Sequence, residues 1–71
     1  MNGFYGKTYN YRYRTIGVCD YPALEGLYMI GYQVRGEYIR VKALPLFGSI
    51  DEAQKALDDF AKARCLMEVQ E

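Results

Sequence analysis

From Leu27 to Leu44, apolar and polar side chains alternate on either side of Arg35-Gly36, which is the pattern of a β-hairpin. With that dipeptide as the turn, Val34 faces Glu37, Tyr32 faces Ile39, Ile30 faces Val41 and Tyr28 faces Ala43. Tyr28, Ile30, Tyr32, Val34, Ile39, Val41 and Ala43 then share an apolar side, and Met29, Gly31, Gln33, Tyr38, Arg40 and Lys42 share the other. Slipping the register by a single residue would turn the apolar set into water, so the pairing is strongly specified. Gly36 supplies the positive φ that a tight hairpin turn demands.

Upstream, Lys7 to Cys19 is rich in Tyr, Thr, Ile and Val and reads as one long strand. Its alternation changes phase partway: Tyr9, Tyr11 and Tyr13 lie on one side, but Ile16 and Val18 continue the phase of Asn10, Arg12 and Arg14. Either a bulge near Thr15 swaps the faces, the preferred reading because it keeps one of them apolar throughout, or the second half of the strand is covered on both sides. Asp20 to Gly26, with Tyr21-Pro22, is connector chemistry, and Pro45 ends the last strand of the hairpin because it cannot donate to a ladder. Met1 to Gly6 reads as a loose lead-in from which Phe4 and Tyr5 can cover a core edge.

The pattern then switches to helical spacing. Ser49 followed by Glu52 is a capping box, and Asp51 and Glu52 sit where the helix dipole favours negative charge. Ile50, Ala53, Leu57, Phe60, Ala61 and Arg64 share one side of the helix, while Asp51, Lys55, Asp58, Asp59 and Lys62 share the wet side. The pattern fades near Arg64, and residues 65–69 read either as a last turn or as a short fourth strand. The expected fold is α+β: a three-stranded antiparallel sheet with one C-terminal helix on one face, βββα with an optional short terminal strand, in a single domain over residues 1–71. Its other face is expected to stay open.

Composition narrows the function. A chain of 71 residues supports one small core, and its 51% hydrophobic content is that of a folded globule. The nine basic residues equal the nine acidic ones, yet they are segregated. Lys7, Arg12, Arg14, Arg35, Arg40 and Lys42 outnumber the acids ahead of Ser49, and the balance reverses after it. Histidine is absent, Ser49 is the only serine and serves as a cap, and Cys19 and Cys65 have no metal-type spacing. Neighbouring carboxylates such as Asp58-Asp59 diverge on a helix and do not converge on a substrate. No catalytic constellation, metal site or cofactor motif is present in the sequence, and a non-enzymatic protein is expected. The lack of a signal-like or membrane-spanning run points to a cytoplasmic protein with two reduced thiols.

Arginine interleaved with tyrosine over Tyr9 to Arg14 suits phosphate contacts and base stacking, and it suits protein interfaces equally well. The bulged strand would place Arg12 and Arg14 with Met29, Gln33, Tyr38, Arg40 and Lys42 on the open face, as the partner-binding residues. Edge strands of so small a sheet also invite pairing with a second copy, giving a homodimer.

The run Phe47-Gly48-Ser49-Ile50-Asp51-Glu52-Ala53, continued by Ala56-Leu57 and Phe60-Ala61, resembles the end of AP2-like and phage-integrase arm-binding domains. In those families an aromatic, a Ser or Thr cap and Glu-Ala open a helix that backs a three-stranded sheet. The resemblance implies a sheet laid in the DNA major groove, with Arg12, Arg14, Arg40 and Lys42 as contacts. Pro45 replaces the glycine usual before the aromatic, and the chain is neutral where those readers are basic. The leading expectation is therefore a small regulator or inhibitor that binds a larger protein. In size and style it is similar to the small regulators of phages and mobile elements, including anti-defence inhibitors. The AP2-like DNA-binding module is the alternative.

Overall fold

A computed structural model describes residues 3–69. In chain order it contains β1 (Tyr5–Tyr11), β2 (Arg14–Asp20), β3 (Tyr28–Val34), β4 (Glu37–Arg40) and α1 (Ile50–Ala63). The strands form one antiparallel sheet in the order β1-β2-β3-β4, and α1 packs on one face of it. The architecture is thus α+β, and no helix among the described residues is long and apolar enough to cross a membrane.

The β3–β4 hairpin has the register that its alternation predicts, with Val34 opposite Glu37 and Tyr32 opposite Ile39. Arg35 and Gly36 both take positive φ, 50° and 84°, which is the two-residue turn whose twist matches that of the strands. The pairing ends sooner than expected. Val41 still donates to the Ile30 carbonyl at 2.9 Å, but Leu44 then closes a turn onto Val41. Tyr28 pairs with Phe47 instead of Ala43, through N–H donations of 2.8 and 2.9 Å in both directions.

The stretch expected as one long strand is a second hairpin. Arg12 and Tyr13 adopt φ of 49° and 66°, and the chain reverses there. A two-residue turn pairs odd positions with even ones: Tyr9 with Ile16, Asn10 with Thr15, and Tyr11 with Arg14. That parity change is the phase change in the sequence, so no bulge at Thr15 is needed and the sheet has four strands. The turn lacks the Asn or Gly that normally marks it, which is why the sequence hides it. The register irregularity lies instead between Tyr5 and Tyr9, next to Gly6 at φ 66°. There the Gln54 side chain accepts from Lys7 N–H at 3.1 Å and donates to the Lys7 carbonyl at 3.4 Å, pairing backbone groups that the irregularity would strand.

The main core lies between sheet and helix. Ile16, Val18, Ile30 and Val41 meet Ala53 and Leu57, with Tyr9, Tyr11, Tyr28, Tyr32 and Phe60 around them. Burying Leu57 or Ile30 completely contributes about 1.5–3 kcal/mol each. The helix starts where Ser49 Oγ accepts from Glu52 N–H at 3.1 Å. It ends where Leu66 donates to Ala61 and Cys65 to Lys62, with Cys65 in the left-handed region at φ 55°. Residues 67–69 then return along the outer edge of β1 as a single antiparallel bridge, Tyr9 to Glu68, tied by Asn10 N–H to Met67 and Val69 N–H to Thr8.

The face opposite the helix is closed at its centre, contrary to expectation. Phe4 lies on Gly17, where a Cβ would come within 2.7 Å of its ring. The ring meets Tyr38 edge-on at 5.3 Å, and Gly3 N–H donates to the Tyr38 hydroxyl at 3.0 Å. Beside this strap, Cys19 and Met29 are paired and buried, at 3% and 2% exposure. The lead-in residues are therefore structural from Gly3 onward: Tyr5 and Gly6 belong to β1, while Met1 and Asn2 lie outside the described residues. Both thiols are free, Cys19 buried and Cys65 exposed, and burial followed by the Asp20 charge pushes the Cys19 thiol up to about 11.

Candidate functional site

Both hairpin turns, Arg12-Tyr13 and Arg35-Gly36, fall at the same end of the sheet because β2 and β3 are antiparallel neighbours. From that end toward the middle of the sheet runs a groove of about 560 Å³ lined by Tyr11, Arg12, Arg14, Tyr32, Ile39, Arg40, Val41 and Lys42, with no residue of α1 in its lining. Four of these eight are cations and none is acidic. Its floor is ring and aliphatic surface, since Tyr11 and Tyr32 sit 6.5 Å apart at the edge of the core and Phe60 backs Tyr11 at 5.8 Å.

Each cation is held in a different way. Arg12 sits in the turn, with its guanidinium carbon 5.4 Å from the centre of the Tyr11 ring. Arg14 opens β2 and stands 5.7 Å from the Tyr32 ring. Such contacts at exposed sites are worth about 0.5–1 kcal/mol, enough to bias the rotamers without neutralising the charge. Arg40, at the end of β4, donates from one Nη to the Leu44 carbonyl at 2.9 Å, which fixes the loop after the strand. Its Nε is buried with no hydrogen-bond partner among the described residues. Lys42 is exposed on the groove wall.

The groove brings together Arg12, Arg14, Arg40 and Lys42, four of the residues expected to contact a partner. They gather at the hairpin end, where Tyr11, Arg14, Tyr32 and Val41 continue the helix-bearing side of the sheet. Arg14 changes sides relative to the expectation because it pairs with Tyr11 across the unforeseen turn. The other three expected residues lie elsewhere. Gln33 and Tyr38 pair with each other outside the groove, Tyr38 is engaged by Gly3 and Phe4, and Met29 is buried beside Cys19. Met29 thus has no surface to offer a partner in this conformation.

Tyr11, Tyr32, Ile39 and Val41 line the site although their alternation marks them as core. Tyr11, Tyr32 and Val41 do join the core while Ile39 is exposed, and together they line the groove because no residue of α1 enters its lining. In the sequence the site was signalled by the Tyr-Arg interleaving of residues 9–14 and by Arg40 and Lys42 in the hairpin alternation.

The remaining polar contacts are structural. Tyr9 donates to Asp58 at 2.6 Å, and Gln54 donates to the same carboxylate oxygen at 3.0 Å. Asp58, assigned to the wet side by helical spacing, is thereby drawn onto the sheet. Tyr5 donates to the Asp20 carboxylate at 3.0 Å. Among the described residues no group of His, Cys, Asp and Glu is arranged to hold a metal ion. No family model, curated protein or solved structure matches this chain.

Proposed function

We propose that this protein is a non-enzymatic binding module, a small regulator or inhibitor that docks on a larger protein through the cationic groove. The observation that supports this most is the convergence of Arg12, Arg14, Arg40 and Lys42 on a Tyr-floored groove with no acidic residue in its lining. Arginine and tyrosine over an apolar floor are the residues that dominate binding energy at protein interfaces. The partner chemistry that suits the groove is a segment carrying carboxylates. A charge-assisted contact there contributes modestly per pair, while the aromatic floor supplies the desolvated area.

Duplex DNA is the second reading, favoured by the same four cations. The AP2-like mode needs arginines on the sheet face away from the helix, whereas Phe4 covers the centre of that face and Arg14 lies on the other. Fluorescence anisotropy with a labelled glutamate-rich peptide and with labelled duplex and single-stranded DNA, from low to physiological salt, separates the readings. Protein docking predicts peptide binding that persists at physiological salt and weakens at least about tenfold, about 1.4 kcal/mol, in Arg14→Glu and Lys42→Glu. It predicts DNA binding that collapses over the same salt range. Tight duplex binding at physiological salt, or peptide binding indifferent to both substitutions, would refute it.

A further inference from the structure

The sheet has one uncovered edge among the described residues, and it borders the groove. The outer edge of β1 is occupied by residues 67–69, and the Tyr28 end of β3 is occupied by Phe47. On β4 the bond from Val41 N–H to Ile30 makes Ile30–Val41 a hydrogen-bonded pair, and the alternation of an antiparallel ladder then makes Tyr32–Ile39 and Val34–Glu37 the next two. The backbone N–H and C=O groups of Tyr38 and Arg40 consequently point away from β3, toward the open edge. Tyr38 and Ile39 are 36% and 39% exposed, so the edge is also apolar.

We infer that this edge receives an extended, acidic segment of a partner protein as an added strand, with carboxylates placed beside Arg40 and Lys42 at the groove wall; the inference rests on the docking function proposed above. Charge selects the occupant. Arg40 and Lys42 stand at this edge as part of the groove wall, so side chains of an added strand fall beside these two cations. Arg12 in the β1–β2 turn and Arg14 on β2 lie on the far side of β3 and add only longer-range attraction. A second copy pairing through β4 would bring two such cationic walls together, and like charges brought together disfavour that homodimer. Backbone pairing to Tyr38 and Arg40 gives the strand its affinity, and the groove gives it a preference for acids.

The test uses the full chain and a capped peptide of alternating glutamate and valine, together with two versions N-methylated at every second residue, one on the glutamates and one on the valines. N-methylation removes the donors on one edge of an extended peptide and leaves its charge unchanged. Strand addition predicts that one methylated version binds at least about tenfold more weakly while the other binds like the parent, and that Lys42→Glu weakens the parent to a similar degree. Equal affinity of all three peptides, with Lys42→Glu still weakening them, would overturn the added strand and leave the groove as the docking site. Failure of the parent to bind, or indifference to Lys42→Glu, would overturn the groove reading and the added strand with it.

Discussion

Tyr9 ties the sheet to the helix through a single short hydrogen bond of 2.6 Å to Asp58. Donating to a charged acceptor, the phenol is pushed from its ordinary 10.0 up to about 12, chiefly by that bond, then by burial and by the carboxylate charges. Because the folded state favours the neutral phenol, this contribution is fully present below the ordinary value and is lost as pH rises through the folded one. Replacing Tyr9 by Phe removes the bond while Gln54 still serves Asp58, and the expected cost near neutrality is about 1.5–3 kcal/mol. Urea unfolding of both proteins should show that difference at neutral pH and show it shrinking between 10.0 and about 12. A gap that stays constant across the range would mean that Tyr9 acts by packing alone.

At the scale of elements, the two hairpin turns have nearly the same geometry but different residues. Arg35-Gly36 places glycine at φ 84°, whereas Arg12-Tyr13 holds two side chains in the left-handed region, with Tyr13 wholly exposed. Left-handed backbone costs roughly 1–2 kcal/mol for an L-residue, and glycine relieves it at an entropic cost of about 0.5–1 kcal/mol. Tyr13→Gly should therefore raise stability by about 0.5–1 kcal/mol, measured by thermal or denaturant unfolding. Loss of stability would show that the Tyr13 ring makes contacts that outweigh the strain. Retention of strained, side-chain-bearing residues at the lip of the groove fits a turn that serves a surface.

The same contrast explains what could be read from the residues alone. Strict alternation and a glycine made the β3–β4 register legible to the residue, and Ser49 with Glu52 made the helix start legible. Arg12-Tyr13 carries no turn chemistry, so its hairpin read as a continuous strand and Arg14 was assigned to the wrong face. Met29 looked like a surface residue because nothing local reveals that Phe4, far away in sequence, folds back over Gly17. The cationic residues of the site were legible as a group. Their meeting place was not, because it depends on the hidden Arg12-Tyr13 turn, which carries Arg14 to the helix-bearing face.

Over the whole molecule, a zero net charge conceals a polar distribution. The hairpin end carries the four-cation groove, while the connector between β2 and β3 at the opposite end lines a smaller concavity, about 370 Å³, with Asp20 and Glu25. Separated charge of this kind orients an approaching partner more than it adds affinity, and it is screened beyond about 8 Å at physiological ionic strength. Under the proposed docking function, contact with Tyr11, Tyr32 and Ile39 has to contribute to holding a partner as well as charge.

The most direct test of this surface is an amide NMR titration of the isotope-labelled protein with a glutamate-rich peptide at physiological salt. The groove predicts shifts confined to Tyr11, Arg12, Arg14, Tyr32 and the run from Tyr38 to Lys42. Shifts centred on the exposed side of the helix, or on Phe4 and Gly17, would place docking elsewhere and contradict it.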